Sequence, residues 1–345
     1  MKKLDQLLRN NIRDLQPYSC ARDEFKGEAS IYMDANENPY NAPYNRYPDP
    51  QQWELKHKLS NLKNIPVENI FLGNGSDEAI DLLYRGFCEP RLDNVVAIEP
   101  TYGMYKVSAS INDVEYRTVL LDDNFQFSSQ SILDACDVNT KLVWLCSPNN
   151  PTGNNLDAKE ILSLLNKFEG IVVVDEAYID FAGVVSFSSY LNQYPNLVIL
   201  QTLSKAWGSA AIRLGMAFAS SEIVSVLNKI KYPYNVNLLT QEFALDVLNS
   251  FEKVHAWVEI LLDERKKLIR MLEELPLIQH VFPTDANFVL VKVSDPNALY
   301  NYLVNQSIIV RNRNSVKLCN GCIRITVGTP NENAILIEEL EKFGI

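Results

Sequence analysis

Four short runs in this chain, Val95-Val-Ala-Ile98, Leu142-Val-Trp-Leu-Cys146, Ile171-Val-Val-Val174 and Leu197-Val-Ile-Leu200, are apolar without interruption. A strand with no polar alternation has to be covered on both faces, which is the condition of the strands in a parallel sheet flanked by helices. Helical patterns separate the runs. Asp157-Ala-Lys-Glu160 reads as a capping box opening a helix, with Ile161, Leu164, Leu165 and Phe168 on one face and Gly170 as the stop. The alternation between about 70 and 220 predicts a mostly parallel, doubly wound α/β sheet, where ligands collect beyond the C-terminal ends of the strands. Asn150, Asp175 and Lys205 all fall just after apolar runs, so one site can gather the three.

From about Leu245 to Leu275 the pattern predicts one long helix. Asn287-Phe-Val-Leu-Val291, a helix around Leu299 and Cys322-Ile-Arg-Ile-Thr326 follow, a second and smaller alternation of helix and strand. The chain has 345 residues, 47% of them hydrophobic, enough for a large core. Its net charge of -11 argues against a nucleic-acid partner and requires that an anionic substrate be drawn by a local cluster of arginines. There is no long apolar span and no N-terminal signal, so no membrane association is expected; with six scattered cysteines the expectation is a reduced cytoplasm. Cys319-Asn-Gly-Cys322 has metal-ligand spacing, but no second Cys or His pair accompanies it and no metal is expected. His57, His255 and His280 have no partner at triad or metal spacing and read as structural.

Thirty positions separate the strand-end Asp175 from Lys205 in Thr202-Leu-Ser-Lys205-Ala-Trp-Gly. Pyridoxal phosphate chemistry requires such a pair: the lysine amine condenses with the cofactor aldehyde, and the carboxylate keeps the pyridine nitrogen protonated so that the ring accepts electrons. Gly75-Ser76-Asp77-Glu78 precedes a helical run, placing Ser76 as an N-cap with backbone N–H groups behind it, a site for phosphate. A dinucleotide loop would need a third glycine where Glu78 stands. A carboxylate facing phosphate repels it, so Asp77 is expected to act through its backbone or by orienting neighbours.

Ser147-Pro-Asn-Asn150-Pro-Thr-Gly153, Asp175-Glu-Ala-Tyr178, Ser204-Lys205 and Arg213-Leu-Gly215 occur in an order that resembles the pyridoxal-phosphate-dependent aminotransferases of fold type I. Tyr32-Met-Asp-Ala-Asn36-Glu-Asn-Pro39, Arg46-Tyr47-Pro48, Gly73-Asn-Gly75-Ser-Asp-Glu78 and Cys322-Ile-Arg324-Ile-Thr-Val-Gly328 narrow the resemblance to the histidinol-phosphate aminotransferase family. The resemblance implies a large cofactor-binding domain over 31-244 with a mostly parallel doubly wound sheet, and a smaller α/β domain of 1-30 with 245-345. It also implies a homodimer, with Tyr47 reaching the active site of a second subunit. Tyr102 would stack on the cofactor ring, Asn150 and Tyr178 would bond its ring oxygen, and Gly75, Ser76, Asp77, Thr202, Ser204 and Arg213 would surround its phosphate.

For substrate the resemblance assigns Arg324 to the carboxylate of glutamate and Arg311 to the phosphate of histidinol phosphate. Guanidinium forks suit both groups. Tyr18 resembles a further phosphate contact and Asn36 lies in the substrate-side loop; Arg22 is a weaker candidate, and Arg313 reads as an unpaired surface arginine. The implied reaction is amino transfer between glutamate and imidazole-acetol phosphate. Competing readings are a phosphothreonine-type decarboxylase, an aromatic-amino-acid aminotransferase and a cofactor-sensing regulator. The regulator is disfavoured by the acidic composition and the lack of an appended DNA-binding domain.

Overall fold

The computed structural model describes residues 4–18 and 29–343, so Arg22 lies outside the described residues. Strands β1 (Ile70–Asn74), β2 (Asn94–Glu99), β3 (Glu115–Leu120), β4 (Thr140–Cys146), β5 (Ile171–Asp175), β6 (Leu197–Thr202) and β7 (Leu214–Phe218) form one sheet in the order β1-β7-β6-β5-β4-β2-β3. All pairings from β3 to β6 are parallel, while β7 runs antiparallel to both β6 and β1. The four apolar runs of the sequence are β2, β4, β5 and β6. Their lack of alternation has a direct cause: Val143, Leu145, Val172, Val174, Leu197 and Ile199 enter one buried cluster, and Leu142, Trp144, Ile171, Val173, Val198 and Leu200 enter another on the opposite face. Each such fully buried aliphatic side chain contributes about 1.5–3 kcal/mol relative to exposure.

From β1 the chain crosses to β2, adds β3 at the edge, and returns through β4, β5 and β6 to β7 beside β1. The order therefore reverses between β2 and β4, and the C-terminal ends of β1, β2, β4, β5 and β6 share one edge of the sheet. That edge is where a doubly wound sheet opens a crevice.

A second sheet of β8 (Ile278–Val281), β9 (Phe288–Val293), β10 (Arg311–Asn312) and β11 (Cys322–Thr326) has the order β10-β11-β9-β8 and is antiparallel throughout. Val289, Val291, Ile323 and Ile325 pack under Leu268, Leu272, Leu299, Leu303 and Leu336 of its helices. Phe288, Leu290 and Cys322 face the other way and join the cluster beneath the large sheet, which fixes the second sheet over the first.

Three details depart from the sequence reading. The long helix of 245–275 is two, Leu238–Asn249 and Phe251–Glu274, broken at Ser250 (φ -98, ψ 30), whose hydroxyl donates to Asp246 O at 3.1 Å. A serine that satisfies itself on the preceding turn competes with helix continuation. Asp157 does cap its helix, accepting from Lys159 N, but Glu160 accepts from Ser129 N at 2.5 Å instead of closing a capping box. The N-terminal residues, assigned by resemblance to the smaller domain, lie against the large sheet's helices: Leu7 and Ile12 are buried with Leu83 and Val224, and Lys229 Nζ donates to Ile12 O at 2.7 Å.

Candidate active site

One cavity of ≈ 680 Å³ opens at the shared strand edge. Gly75, Ser76, Asp77, Tyr102, Asn150, Asp175, Tyr178, Thr202, Ser204, Lys205 and Arg213 all line it, and the arginines of the second sheet, Arg311, Arg313 and Arg324, close it from above. Each comes from a strand end. Gly75 follows β1, Tyr102 follows β2, Asn150 follows β4, Asp175 ends β5, Lys205 follows β6 and Arg213 precedes β7.

Asp175 is buried. Burial pushes its carboxyl up to about 6, against the pull of the Tyr105 hydroxyl, which donates to Oδ2 at 2.7 Å, and of the Ala177 amide, which donates to Oδ1 at 3.1 Å. Aromatic stacking fixes Tyr105 in that position, its ring lying on Trp144 at 4.9 Å and 15°, with Trp144 stacked in turn on Tyr84. Sequence reading missed Tyr105. Its signal was the aromatic pair of Tyr102 and Tyr105 at the start of a helix.

Burial, then the charge of Arg324, lowers the Lys205 amine from its ordinary value, with Asp175 acting in the opposite direction. The amine lies 5.6 Å from the Tyr178 ring centroid. A less basic amine is easier to use as a nucleophile and base near neutral pH. Tyr178 is held protonated by burial. Its hydroxyl oxygen accepts from Asn150 Nδ2 at 3.4 Å, leaving its proton to donate into the cavity.

The helix Gly75–Phe87 begins two residues earlier than expected: Asn74 is the cap residue, and Ser76 stands in the first turn. Asn74 gives no side-chain capping bond, and Gly75 N donates to Arg213 O at 2.7 Å, so the amides of Ser76 and Asp77 are left at the cavity edge. Glu78, at the position that excluded a dinucleotide loop, turns back to accept from Asn74 N at 2.6 Å. Gly215 permits the close approach of β7 to this turn, since a Cβ there would stand 2.0 Å from Ser76 N. Asp77 orients its neighbours: Tyr102 Oη donates to its Oδ1 at 3.1 Å and Arg213 Nη2 lies 3.4 Å from its Oδ2. Across the cavity, Ser204 N donates to Thr202 Oγ1 at 3.1 Å, bending the chain toward Lys205.

Arg324 is poised by Phe288, whose ring centroid lies 5.0 Å from its Cζ, and by Asn150, whose Oδ1 accepts from its Nη1. Arg311 stands opposite Arg324 in the β10/β11 ladder, at the exposed mouth. Arg313 departs from its sequence reading. It is half-buried, lines the cavity, and burial together with Arg324 and Arg311 depresses its guanidinium to about 10.

Tyr18 and Asn36 do not line this cavity, and Tyr47, expected at the site of a second subunit, does not line its own. Tyr18 is 75% exposed, Asn36 is exposed with φ 54, and Tyr47 is 51% exposed with its ring stacked on Tyr234 at 4.5 Å. Among the described residues no group of three or more His, Cys, Asp or Glu is placed to hold a metal, and no helix is long and apolar enough to cross a membrane.

The fold and this strand-edge cavity define a pyridoxal-phosphate-dependent transferase of fold type I, and the chain belongs to the aminotransferase class I and II family, which matches residues 30–340. A protein of Bacteroides fragilis (strain YCH46) named histidinol-phosphate aminotransferase is 59% identical over 99% of this chain and 100% of its own length. A protein of the same name from Bacteroides thetaiotaomicron is 58% identical over 99% of each. Among solved structures, the histidinol-phosphate aminotransferase from Clostridium acetobutylicum superposes with a TM-score of 0.80 at 25% identity, covering 87% of this chain and 91% of that one.

Proposed function

We propose that this chain moves the amino group of L-glutamate to imidazole-acetol phosphate, giving histidinol phosphate and 2-oxoglutarate, a step of histidine biosynthesis. The observation that carries the reading is the meeting of a buried carboxylate and a lysine of lowered basicity with three arginines in one cavity. The residues fit pyridoxal phosphate on this structure's own terms. The uncapped first turn at Ser76 and Asp77, with Ser204 and Arg213 beside it, suits a phosphate, and a carboxylate buried at a cost in free energy suits a partner that brings a proton. When bound, the cofactor supplies the aldehyde that takes up the amino group and the ring that accepts the electron pair of the broken Cα–H bond.

The chain's own residues do the rest. Asp175 holds a proton at the ring nitrogen, with Tyr105 and the Ala177 amide fixing its two oxygens. Tyr178 and Asn150 would hold the ring oxygen by donation, Tyr102 would pack against the ring, and the Ser76 turn would hold the phosphate. Lys205 Nζ is the covalent anchor and the base that takes the Cα proton. Arg324 grips the carboxylate of glutamate and so sets which Cα bond stands in line to break.

A homodimer is part of the reading. Tyr47 and Asn36, on one exposed segment outside their own cavity, would enter the site of a second copy. The cytoplasm is the proposed compartment; the described cysteines, Cys88, Cys136, Cys146, Cys319 and Cys322, are all free.

The test is a parallel assay of the purified protein supplied with pyridoxal phosphate. Histidinol phosphate with 2-oxoglutarate should yield glutamate, and phosphothreonine should yield no CO2. Release of CO2 without glutamate formation would make the protein a decarboxylase, and equal turnover of phenylalanine and histidinol phosphate would make it an aromatic aminotransferase.

A further inference from the structure

We propose that Arg313 is a specificity-determining residue of this site, forming with Arg311 a two-guanidinium clamp that selects a substrate whose side chain ends in a doubly charged phosphate. The inference rests on the amino-transfer reading above and adds to it a residue and a reason for substrate choice.

Strand register places the residue. Arg311 pairs with Arg324 across the β10/β11 ladder, and Arg313 N donates to Cys322 O at 2.9 Å, which carries the ladder one step further. Residues two apart on a strand share a face, and so do directly opposed cross-strand residues. Arg311, Arg313 and Arg324 are therefore presented together, and all three line the cavity. Asn312, between them, points away: its Nδ2 donates to Asn297 Oδ1 at 2.8 Å.

Three guanidiniums on one face repel each other unless an anion lies among them. Arg324 Nη1 has Asn150 Oδ1 as an acceptor, although its Nε is buried with none among the described residues. Arg313 Nε is buried and has no acceptor among the described residues, and burial has already reduced the affinity of this guanidinium for its proton. A buried donor without a partner costs free energy that a ligand oxygen would recover. The cavity's two carboxylates are engaged elsewhere, Asp77 with Tyr102 and Arg213 and Asp175 with Tyr105. One fork suffices for a carboxylate, whereas a phosphate ester has three terminal oxygens and nearly two charges at neutral pH and can take two forks. Arg311 alone would serve glutamate's distal carboxylate and a phosphate almost equally; the second guanidinium breaks that tie.

The experiment compares wild type, Arg313→Gln and Arg313→Lys in single-turnover half-reactions with histidinol phosphate, its phosphate-free analogue histidinol, and glutamate. In Arg313→Gln, k/K for histidinol phosphate is expected to fall by about 10- to 150-fold, the worth of a charge-assisted hydrogen bond. Glutamate and histidinol should each change less than about threefold, the range left when no charge-assisted bond is lost. Arg313→Lys should recover part of the loss, because a point charge remains without the fork. Equal losses for all three substrates, or a wild-type preference for histidinol phosphate over histidinol that Arg313→Gln retains, would overturn the proposal. A wild type with no such preference would instead sink the choice of histidinol phosphate as the substrate in the reading above. Unchanged thermal midpoints across the variants keep a folding defect from imitating the result.

Discussion

Replacing Asp175 by asparagine should make the cofactor-free protein more stable at alkaline pH while crippling its chemistry. The carboxyl is buried and its proton affinity corresponds to a pKa of about 6, against an ordinary value near 4. Because the folded value is raised, the group adds stability that is complete below about pH 4 and is lost as pH climbs through about 6. At about 1.4 kcal/mol for each tenfold change in proton affinity, the whole swing is about 3 kcal/mol, and about 1.4 kcal/mol of it falls between pH 5 and pH 8. Asparagine has no such swing. Its amide can still accept from Ala177 N and donate to Tyr105 Oη, so the lost bonding is about 1 kcal/mol. In urea titrations of the cofactor-free proteins, the variant's stability relative to wild type should therefore rise by about 1.4 kcal/mol from pH 5 to pH 8. Saturating pyridoxal phosphate should reverse the order, since the wild-type carboxylate then meets a protonated partner. The glutamate half-reaction should slow by about 100- to 1000-fold, the usual cost of removing one preorganised electrostatic contact. A stability difference that does not move with pH would refute the reasoning, as would a half-reaction at the wild-type rate.

Other perturbations follow from the same geometry. Tyr105→Phe removes the hydroxyl that donates to Asp175, so the pH at which this component of stability is lost should move upward from about 6, and the same urea series read at closer pH intervals checks it. Gly215→Ala drives a Cβ into the backbone at Ser76 and Gly75; cofactor affinity measured by fluorescence should weaken, and the protein should lose about 1–3 kcal/mol of stability. Arg324→Ala should impair the glutamate half-reaction more than the histidinol phosphate one, and Arg311→Ala the reverse, each by about 1.5–3 kcal/mol in k/K; equal losses in Arg311→Ala would remove the phosphate role from that residue.

Much of this site was legible because its residues sit at strand ends, and strand ends are easy to find where uninterrupted apolar runs stop. Asp175 ends one such run, and Asn150 and Lys205 follow two others, so the parallel sheet alone brings them to one edge. The second sheet was harder. Whether Arg313 turns inward depends on its pairing with Cys322, a contact between segments whose register no local pattern specifies. Capping was misplaced by two residues because Gly75, at φ 68, starts the helix where serine at 76 was the stronger local signal for a cap. Tyr105 was passed over for another reason: despite its pairing with Tyr102, a buried tyrosine in a helix reads as core, and its hydroxyl gains meaning only when Asp175 is found 2.7 Å away. Tyr18, Asn36 and Tyr47 lie on segments that a single copy of the chain leaves largely exposed, so the roles their resemblance implies have no counterpart in one chain's contacts.

The central claim is that Lys205 is the covalent anchor of the cofactor and the base of the reaction. Borohydride reduction of the protein saturated with pyridoxal phosphate, followed by peptide mapping, tests it most directly. The account predicts a single label on the peptide containing Thr202, Ser204 and Lys205, absent from Lys205→Ala. A label on any other lysine, or none at all after the cofactor is supplied, would contradict it.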